Sequence, residues 1–271
     1  MPNQHLKRFF QVTYLHHIAA YLQNRRRGIL RWLGFGWRIF EINPQIQFKI
    51  DIAARSPFSM FTSKDKYMKK EMDAFTSLTA GKKCFLDIGS HYGIYSMTFA
   101  SINPDGMAYA IDPSPKCFWV LDRNMKLNPQ MKITSDNVAL GREQGEIMMH
   151  YEWVHLIGDH SGNSKGSPVN VTMMDKFIQD KSIAPDIIKI DVDGYEGPVI
   201  EGGMKYLSNN NPLIFLELHG DWIKRYDYSA SQIHKTLAGM GYGFVDLDLN
   251  SIHDPEAAFN IFANRIICQK D

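Results

Sequence analysis

The segment from Phe85 to Gly93, which reads FLDIGSHYG, constrains the fold of this chain more than any other feature. A short apolar run ends in an acid, Asp87, and then in two glycines, Gly89 and Gly93, where a strand would give way to a helix. Glycine lets a backbone turn sharply and approach a ligand closely. Because open α/β sheets bind ligands at the carboxyl ends of their strands, the segment predicts a nucleotide-type binding turn.

The spacing of the glycines distinguishes this turn from a dinucleotide site. The dinucleotide fingerprint needs an intervening glycine and a third one, and the segment has neither. An acid at Asp87 would repel a pyrophosphate, but it suits a cofactor with an ammonium and a sulfonium group, as in S-adenosylmethionine. We expect Ser90, His91 and Tyr92, which fill the turn, to contact that cofactor together with the glycines.

From about residue 80 onward, strand and helix patterns alternate as in a mostly parallel sheet with helices on both faces. We expect strands near residues 83–88, 107–112, 131–138, 186–192, 212–218, 242–247 and 262–268. We expect helices over residues 66–79, 92–102, 114–127, 172–182, 196–207 and 229–239. An extra strand is predicted over 145–153, and a mobile surface loop rich in Gly, Ser, His and Asn over 154–170.

Composition fits one sizeable core and excludes several classes of protein. With 271 residues, 44% hydrophobic and 22% charged, the chain can bury a core and carry an extension. Its three scattered cysteines imply neither a disulfide framework nor a zinc knuckle and favour a cytoplasmic location. We find no secretory leader and no apolar run near the roughly 18 residues that span a bilayer, so we expect a soluble protein.

The first 40 residues differ from the remainder in charge. They contain seven Lys or Arg residues and no acid, and apolar residues recur there at helical spacing. We therefore divide the chain into a basic, aromatic helical arm (1–45), a cap segment (46–79) and a catalytic domain (80–271). The arm is expected to dock on its own domain or on a second subunit, with peripheral contact to an anionic membrane as the alternative. The oligomeric state stays open.

A second acid, Asp112, ends the next predicted strand about twenty residues after the glycine turn. At that position of nucleotide-binding α/β folds, a carboxylate accepts hydrogen bonds from the ribose hydroxyls. Alternatively, Asp112 caps the following helix, with Pro113 at its first position. The two roles are compatible.

A third cluster, IKIDVDGYE over residues 188–196, combines a lysine with acids at a strand end. Alternation along the strand places Lys189, Asp191 and Asp193 on one side. A lysine inside an apolar strand needs an acidic partner, which we expect to be Asp191 or Glu217. Glu196 is expected to open the following helix.

Five segments follow one another between about residues 80 and 220. They are FLDIGSHYG, IDPSP (111–115) followed by Asn124 and Asn128, NVALG (137–141), KIDVDGYE (189–196) and ELH (217–219). This ordered set resembles the FkbM-type family of S-adenosylmethionine-dependent methyltransferases. The resemblance implies an α/β, Rossmann-like class I methyltransferase fold: a seven-stranded, mostly parallel sheet with an antiparallel last strand. It also implies donor contacts from Asn137, Val138 and Asp191, and methylation of a hydroxyl on a sugar, polyketide or other small-molecule or glycan acceptor.

Transfer of a methyl group to an alcohol needs a group at the mouth of the strands that accepts the hydroxyl proton. Asp191, Glu217 and His219 are the candidates, and we hypothesise that His219 or Asp191 is the base. The competing interpretation of His219 is a histidine with satisfied hydrogen bonds at a strand end.

Three alternatives remain at the sequence level. A metal-assisted transferase could use Asp191 with a histidine-rich cluster of the predicted loop, His150, His155, Asp159 and His160, but that spacing fits no defined site and we expect no metal. An NAD-type oxidoreductase and a non-catalytic nucleotide-binding protein are the others. Nucleic acid is not expected as a partner, because the basic residues cluster in the arm rather than around the crevice.

Overall fold

The structure is a computed structural model that describes residues 22, 25–30, 32–54, 66–149, 167–220, 222–252, 258 and 262–270. Its strands, numbered along the chain, are β1 (Trp37–Asn43), β2 (Ile46–Asp51), β3 (Cys84–Ile88), β4 (Met107–Ile111), β5 (Ile133–Asp136), β6 (Ala139–Gly141), β7 (Gly145–Met149), β8 (Ser167–Met173), β9 (Ile187–Ile190), β10 (Leu213–His219), β11 (Gly243–Val245) and β12 (Phe262–Gln269). Its longer helices are α1 (Lys66–Thr79), α2 (Ile94–Ile102), α3 (Pro115–Leu127), α4 (Met174–Lys181), α5 (Glu196–Glu201), α6 (Met204–Asn209) and α7 (Ala230–Gly239). Residues 25–30 are also helical, and a 3-10 helix spans Ile223–Tyr226.

Seven of these strands form one sheet in the spatial order β11, β12, β10, β9, β3, β4, β5. The strands from β10 to β5 pair in parallel, whereas β12 pairs antiparallel with both β10 and β11. The predicted mostly parallel sheet with an antiparallel last strand is confirmed. Since β4 lies on one side of β3 and β9 on the other, the switch point at which such sheets bind ligands lies between the ends of β3 and β9.

The central strands are apolar on both sides, as parallel strands covered by two helical layers must be. Every residue of β9 is buried. On one face, α1 and α2 cover an aromatic cluster in which Phe75 contacts Phe85, Tyr95 and Phe215 at ring-centroid distances of 5.4, 4.9 and 5.7 Å. On the other face, α4 to α7 cover the aliphatic side of the same strands. The two layers hold the strand ends in place.

Local sequence signals set the N-terminal ends of two helices, α3 and α7. α1 spans the predicted residues. The side chain of Ser114 caps α3, which carries Pro115 in its first turn. α7 has the predicted capping box of Ser229 and Gln232.

Two predicted segments are wrong. Residues 196–207 form two helices, because the chain passes β6 too closely at Gly202 to carry a side chain: a Cβ there would lie 1.9 Å from the carbonyl oxygen of Gly141. Residues 167–170, predicted as loop, belong to β8, which pairs with β6 and β7 in a separate sheet. β7 is the predicted extra strand as far as Met149, and residues 150–166 lie outside the described residues.

The predicted boundary between residues 45 and 46 cuts a β-hairpin. β1 and β2 pair antiparallel across it, so residues 37–43 are strand and not helical arm. Asn124 and Asn128 of α3 accept hydrogen bonds from the backbone N–H groups of Asp51 and Lys49 at 2.7 and 2.9 Å. The hairpin is therefore bound to the main domain.

Little of the arm itself is described. Residues 25–30 are helical, as predicted, whereas the apolar positions from 6 to 18 lie outside the described residues. Among the described helices, none is both long and apolar enough to cross a membrane.

Candidate active site

The turn after β3 forms one side of the predicted donor site. The backbone N–H groups of Gly89 and Ser90 both donate to the carbonyl oxygen of Ile111 at 2.9 Å, which ties the turn to the end of β4. Gly89 has a φ of +79°, and a Cβ there would lie 1.7 Å from the carbonyl oxygen of Asp191. Packing of the chain on itself therefore requires glycine here, independently of any ligand.

Asp112 organises the same turn from the end of β4. Its carboxylate accepts hydrogen bonds from the backbone N–H groups of His91 at 2.7 Å and Ser114 at 2.9 Å. Ser114, and not Asp112, is the residue that caps α3. Burial raises the pKa of Asp112 to about 7, and the two hydrogen bonds oppose that rise. A hydroxyl that donates to this carboxylate would favour its ionised form.

The other predicted donor-site residues lie in the turn after β3 or directly after β5. The Asn137 side chain is exposed and donates to the backbone carbonyl of Asp112 at 2.8 Å. His91 has a φ of +51°, and its ring stacks on that of Tyr92 with centroids 3.9 Å apart. Val138 is half-buried against the aliphatic core. These positions can contact a ligand at the strand ends, and their donor contacts stay predictions.

Two buried polar atoms at the turn have no hydrogen-bond partner among the described residues, Asp87 Oδ1 and Ser90 Oγ. Asp87 is fully buried in β3, where its other oxygen accepts a hydrogen bond from Ser96 Oγ at 2.6 Å. Burial raises its pKa, and Lys189 on the neighbouring strand opposes the rise. Unsatisfied buried polar atoms point to a missing polar partner, so the turn fits a polar ligand.

An ion pair lies at the end of β9. Lys189 Nζ donates to Asp191 Oδ2 at 2.8 Å, so Asp191, one of the two predicted partners, makes the hydrogen bond. Burial lowers the pKa of Lys189, but Asp191 and Asp87 outweigh it and leave that pKa raised. Burial likewise raises the pKa of Asp191, but Lys189 and His219 outweigh it and leave that pKa lowered. Both members of the pair are charged at neutral pH.

Glu217 forms an ion pair with Arg265, a residue that the sequence analysis missed. Arg265 of β12 lies opposite Glu217 in the strand register, and its Nη2 is 2.9 Å from Glu217 Oε2. Arg265 also pairs with the buried Glu71 of α1, which accepts a hydrogen bond from Tyr95. Burial and the charge of Asp191 raise the pKa of Glu217 well above its ordinary value, against the effect of Arg265. Glu217 is therefore positioned by a buried network.

His219 ends β10 and faces acids with both ring nitrogens. Its Nδ1 lies 2.9 Å from Oε1 of Glu196, a fully buried acid at the start of α5. Its Nε2 lies 3.5 Å from carboxylate oxygens of Asp193 and Glu217. Burial lowers the pKa of His219, but Glu196, Asp191 and Glu217 outweigh it and raise that pKa to about 9. The imidazole is therefore protonated at neutral pH.

Aromatic rings lie next to His219. The ring of Trp222 stacks on the imidazole with centroids 5.4 Å apart and an interplanar angle of 12°. Tyr195 and Tyr226 meet edge to face, and Tyr226, which lies within the field of Glu196 and Asp193, is 41% exposed. Such rings offer apolar surface to the flat side of an acceptor molecule.

Asp191, Glu217 and His219 could also hold a divalent cation, because their ligand atoms all lie within 4.8 Å of one another. Protein cations already face both carboxylates of this trio, however. The alternative histidine-rich cluster lies within 150–166, outside the described residues.

A comparison with models of known protein families assigns the chain to a family. The model of the methyltransferase FkbM domain matches residues 87–244, more than half of the sequence. The chain belongs to this family. The FkbM domain contains every predicted site residue, whereas Glu71 and Arg265 lie outside it. The assignment confirms the predicted resemblance and S-adenosylmethionine as the cofactor, and it gives no support to the oxidoreductase alternative.

The relatives of this FkbM-family chain are distant. It is 24% identical to the hexuronic acid methyltransferase AglP of Haloferax volcanii over 135 residues, which cover 49% of this chain and 54% of the relative. The chain thus spans about half the length of that curated relative. The structure of methyltransferase FkbM from Methylobacillus flagellatus is 16% identical, with a TM-score of 0.46 over 70% of this chain and 44% of that chain. That of M. jannaschii TYW2 in complex with AdoMet is 10% identical, with a TM-score of 0.44 over 87% of each chain.

Proposed function

We propose that this chain is an S-adenosylmethionine-dependent O-methyltransferase that acts on a hydroxyl of a sugar, polyketide or other small-molecule or glycan acceptor. The observation that carries the proposal is the meeting of His219, Asp191 and Glu217 beside the turn after β3. Among the acceptors, the hexuronic acid in the name of the relative AglP favours a sugar.

The donor would lie across the carboxyl ends of β3 and β4. S-adenosylmethionine supplies a methyl group on a positively charged sulfur. Asp112 would accept hydrogen bonds from the ribose hydroxyls, and Ser90 and His91 would line the opposite end of the donor site. Four acids at these strand ends, Asp191, Asp193, Glu196 and Glu217, face three cations, Lys189, His219 and Arg265, which favours a cationic ligand there.

The residues at the ends of β9 and β10 would align the acceptor and handle its proton. Methyl transfer is an in-line displacement that depends on alignment and exclusion of water. His219 or Asp191 would take up the proton that the acceptor hydroxyl loses when its oxygen is methylated. His219 can accept that proton only after losing its own, which favours alkaline pH. Glu196 fixes Nδ1 and so directs Nε2 toward the acceptor.

An assay with an isotopically labelled methyl donor tests this proposal. The purified chain is incubated with cell extract and, separately, with neutral sugars and hexuronic acids, and the labelled product is identified. We expect label on a hydroxyl oxygen of a sugar or other small molecule. Label on nucleic acid or on a nitrogen atom would contradict the proposal.

A further inference from the structure

A large apolar surface is exposed immediately before and within β1. We call it the N-terminal patch, and it consists of Ile29, Trp32, Leu33, Phe35, Trp37 and Ile39. Trp32 is 85% exposed, and Phe35 and Ile39 are each 62% exposed. Six exposed apolar side chains within eleven residues are more than a surface usually scatters singly, and exposed apolar groups of this kind mark interaction sites.

The turn that carries the patch is well formed. The N–H of Leu33 donates to the carbonyl of Ile29 at 2.9 Å, and that of Phe35 donates to Leu30 at 2.7 Å. Gly34 has a φ of +81°, the left-handed conformation that ends helices, and nothing lies within 4 Å of its Cβ position. The exposed rings therefore stand on a turn with defined hydrogen bonds.

The charges around the patch are mostly positive. Arg25 and Arg26 of the helix over 25–30 are exposed, as is Arg38 of β1. Lys49 Nζ lies 4.9 Å from the ring centre of Trp37. Residues 1–40 contain no acid. Exposed aromatic and aliphatic side chains that arginines accompany along the chain are complementary to the interface of an anionic bilayer.

We propose that the N-terminal patch docks on the surface of an anionic lipid bilayer. Trp32 and Phe35 would enter the headgroup region, while the arginines face lipid phosphates. A second copy of the chain fits the patch less well, because two identical patches would oppose their positive charges. This inference does not depend on the proposed methyltransferase reaction.

Co-sedimentation of the full chain with vesicles tests the proposal. One set of vesicles contains equal parts of phosphatidylglycerol and phosphatidylcholine, and the other contains phosphatidylcholine alone. We expect the chain to bind the anionic vesicles only and to be released at high salt. In the double variant Trp32→Ser, Phe35→Ser the partition coefficient should fall by at least about tenfold. The control is Trp119→Ser, which removes a tryptophan that is 47% exposed on α3 and should leave binding unchanged.

Several outcomes would overturn the proposal. These are no binding to anionic vesicles, equal binding to both kinds of vesicle, and unchanged binding by the double variant. Sedimentation velocity without lipid supplies a further contradicting outcome. If the wild-type chain is a dimer and the double variant a monomer, the patch binds a second copy of the chain. Circular dichroism and donor binding of both variants verify that loss of vesicle binding is not loss of folding.

Discussion

Asp112 is the residue at which donor binding and protonation should be linked. Its pKa of about 7 means that the carboxyl is half-protonated near neutral pH. Because ribose hydroxyls donate to the ionised form, affinity for S-adenosylhomocysteine should rise with pH through about 7. In Asp112→Asn the affinity should be lower by about tenfold to a hundredfold at alkaline pH and no longer follow this titration. Calorimetry across this pH range measures both, with Asp122→Asn, at a half-buried aspartate of α3 that pairs with Lys126, as control. A pH-independent wild-type affinity would contradict the assignment.

His219 should set the pH dependence of turnover. With a raised pKa of about 9, its base form is scarce at neutral pH and grows as pH rises. We therefore expect kcat/KM of the wild type to rise with pH up to about pH 9. The His219→Ala variant should have a low kcat/KM that lacks this alkaline rise. Glu196→Gln removes a negative charge that raises the pKa of His219, so the rise of kcat/KM with pH should occur at lower pH in this variant. Unchanged turnover in His219→Ala would exclude this residue as the base.

Metal removal tests the role of the Asp191, Glu217 and His219 trio. Lys189 and Arg265 already compensate its carboxylates, so we expect methyl transfer to survive treatment with a chelator. Activity that disappears with the chelator and returns with Mn²⁺ or Zn²⁺ would instead make the trio a metal site.

The sequence predicts site residues well where partners are close along the chain. The Lys189 and Asp191 pair spans two positions, and strand alternation predicts it as one of two possible pairs, the other being Lys189 with Glu217. The Arg265 and Glu217 pair depends on the register of β12 against β10, which no local signal reveals. A charged residue inside an apolar strand marks both Lys189 and Arg265, so the same argument applied to β12 would have flagged Arg265.

At the scale of elements, the turn after β3 should tolerate no side chain at Gly89. In Gly89→Ala the alanine would have to adopt a positive φ, and its Cβ would lie 1.7 Å from the carbonyl oxygen of Asp191. The backbone segments that follow β3 and β9 must therefore move apart. Gly81→Ala is the matched control, because Gly81 has a φ of +77° but open space around it. Thermal unfolding should show a loss of about 1 kcal/mol for the control and a clearly larger loss for Gly89→Ala. Equal losses would contradict the role of close packing.

The sequence predicts secondary-structure elements correctly where an apolar run or a helix cap is formed by residues that are neighbours in the chain. The central strands and α1 are examples, since each buries a face that its own residue pattern reveals. The hairpin of β1 and β2 escaped prediction because its aromatic and charged residues resemble an exposed arm, and its attachment depends on distant asparagines of α3. The break between α5 and α6 likewise depends on contact with β6.

At the scale of the whole molecule, an ion-pair network joins the first long helix to the last strand. Arg265 of β12 connects Glu71 of α1 to Glu217 of β10. Arg265→Met would leave two buried acids without their cation and should destabilise the protein by about 3 to 5 kcal/mol. The exposed Lys132, paired with Asp105 at 3.9 Å, is the control, and Lys132→Met should cost less than about 1 kcal/mol. Urea unfolding measures both, and similar losses would show that the network is not a main support.

Calorimetric titration of the full chain with S-adenosylmethionine tests the central claim most directly, with NAD as the parallel titrant and Asp112→Ala as the variant. The account predicts saturable binding of S-adenosylmethionine, no binding of NAD, and much weaker binding of S-adenosylmethionine by the variant. Failure of the chain to bind S-adenosylmethionine, or equal binding by Asp112→Ala, would contradict it.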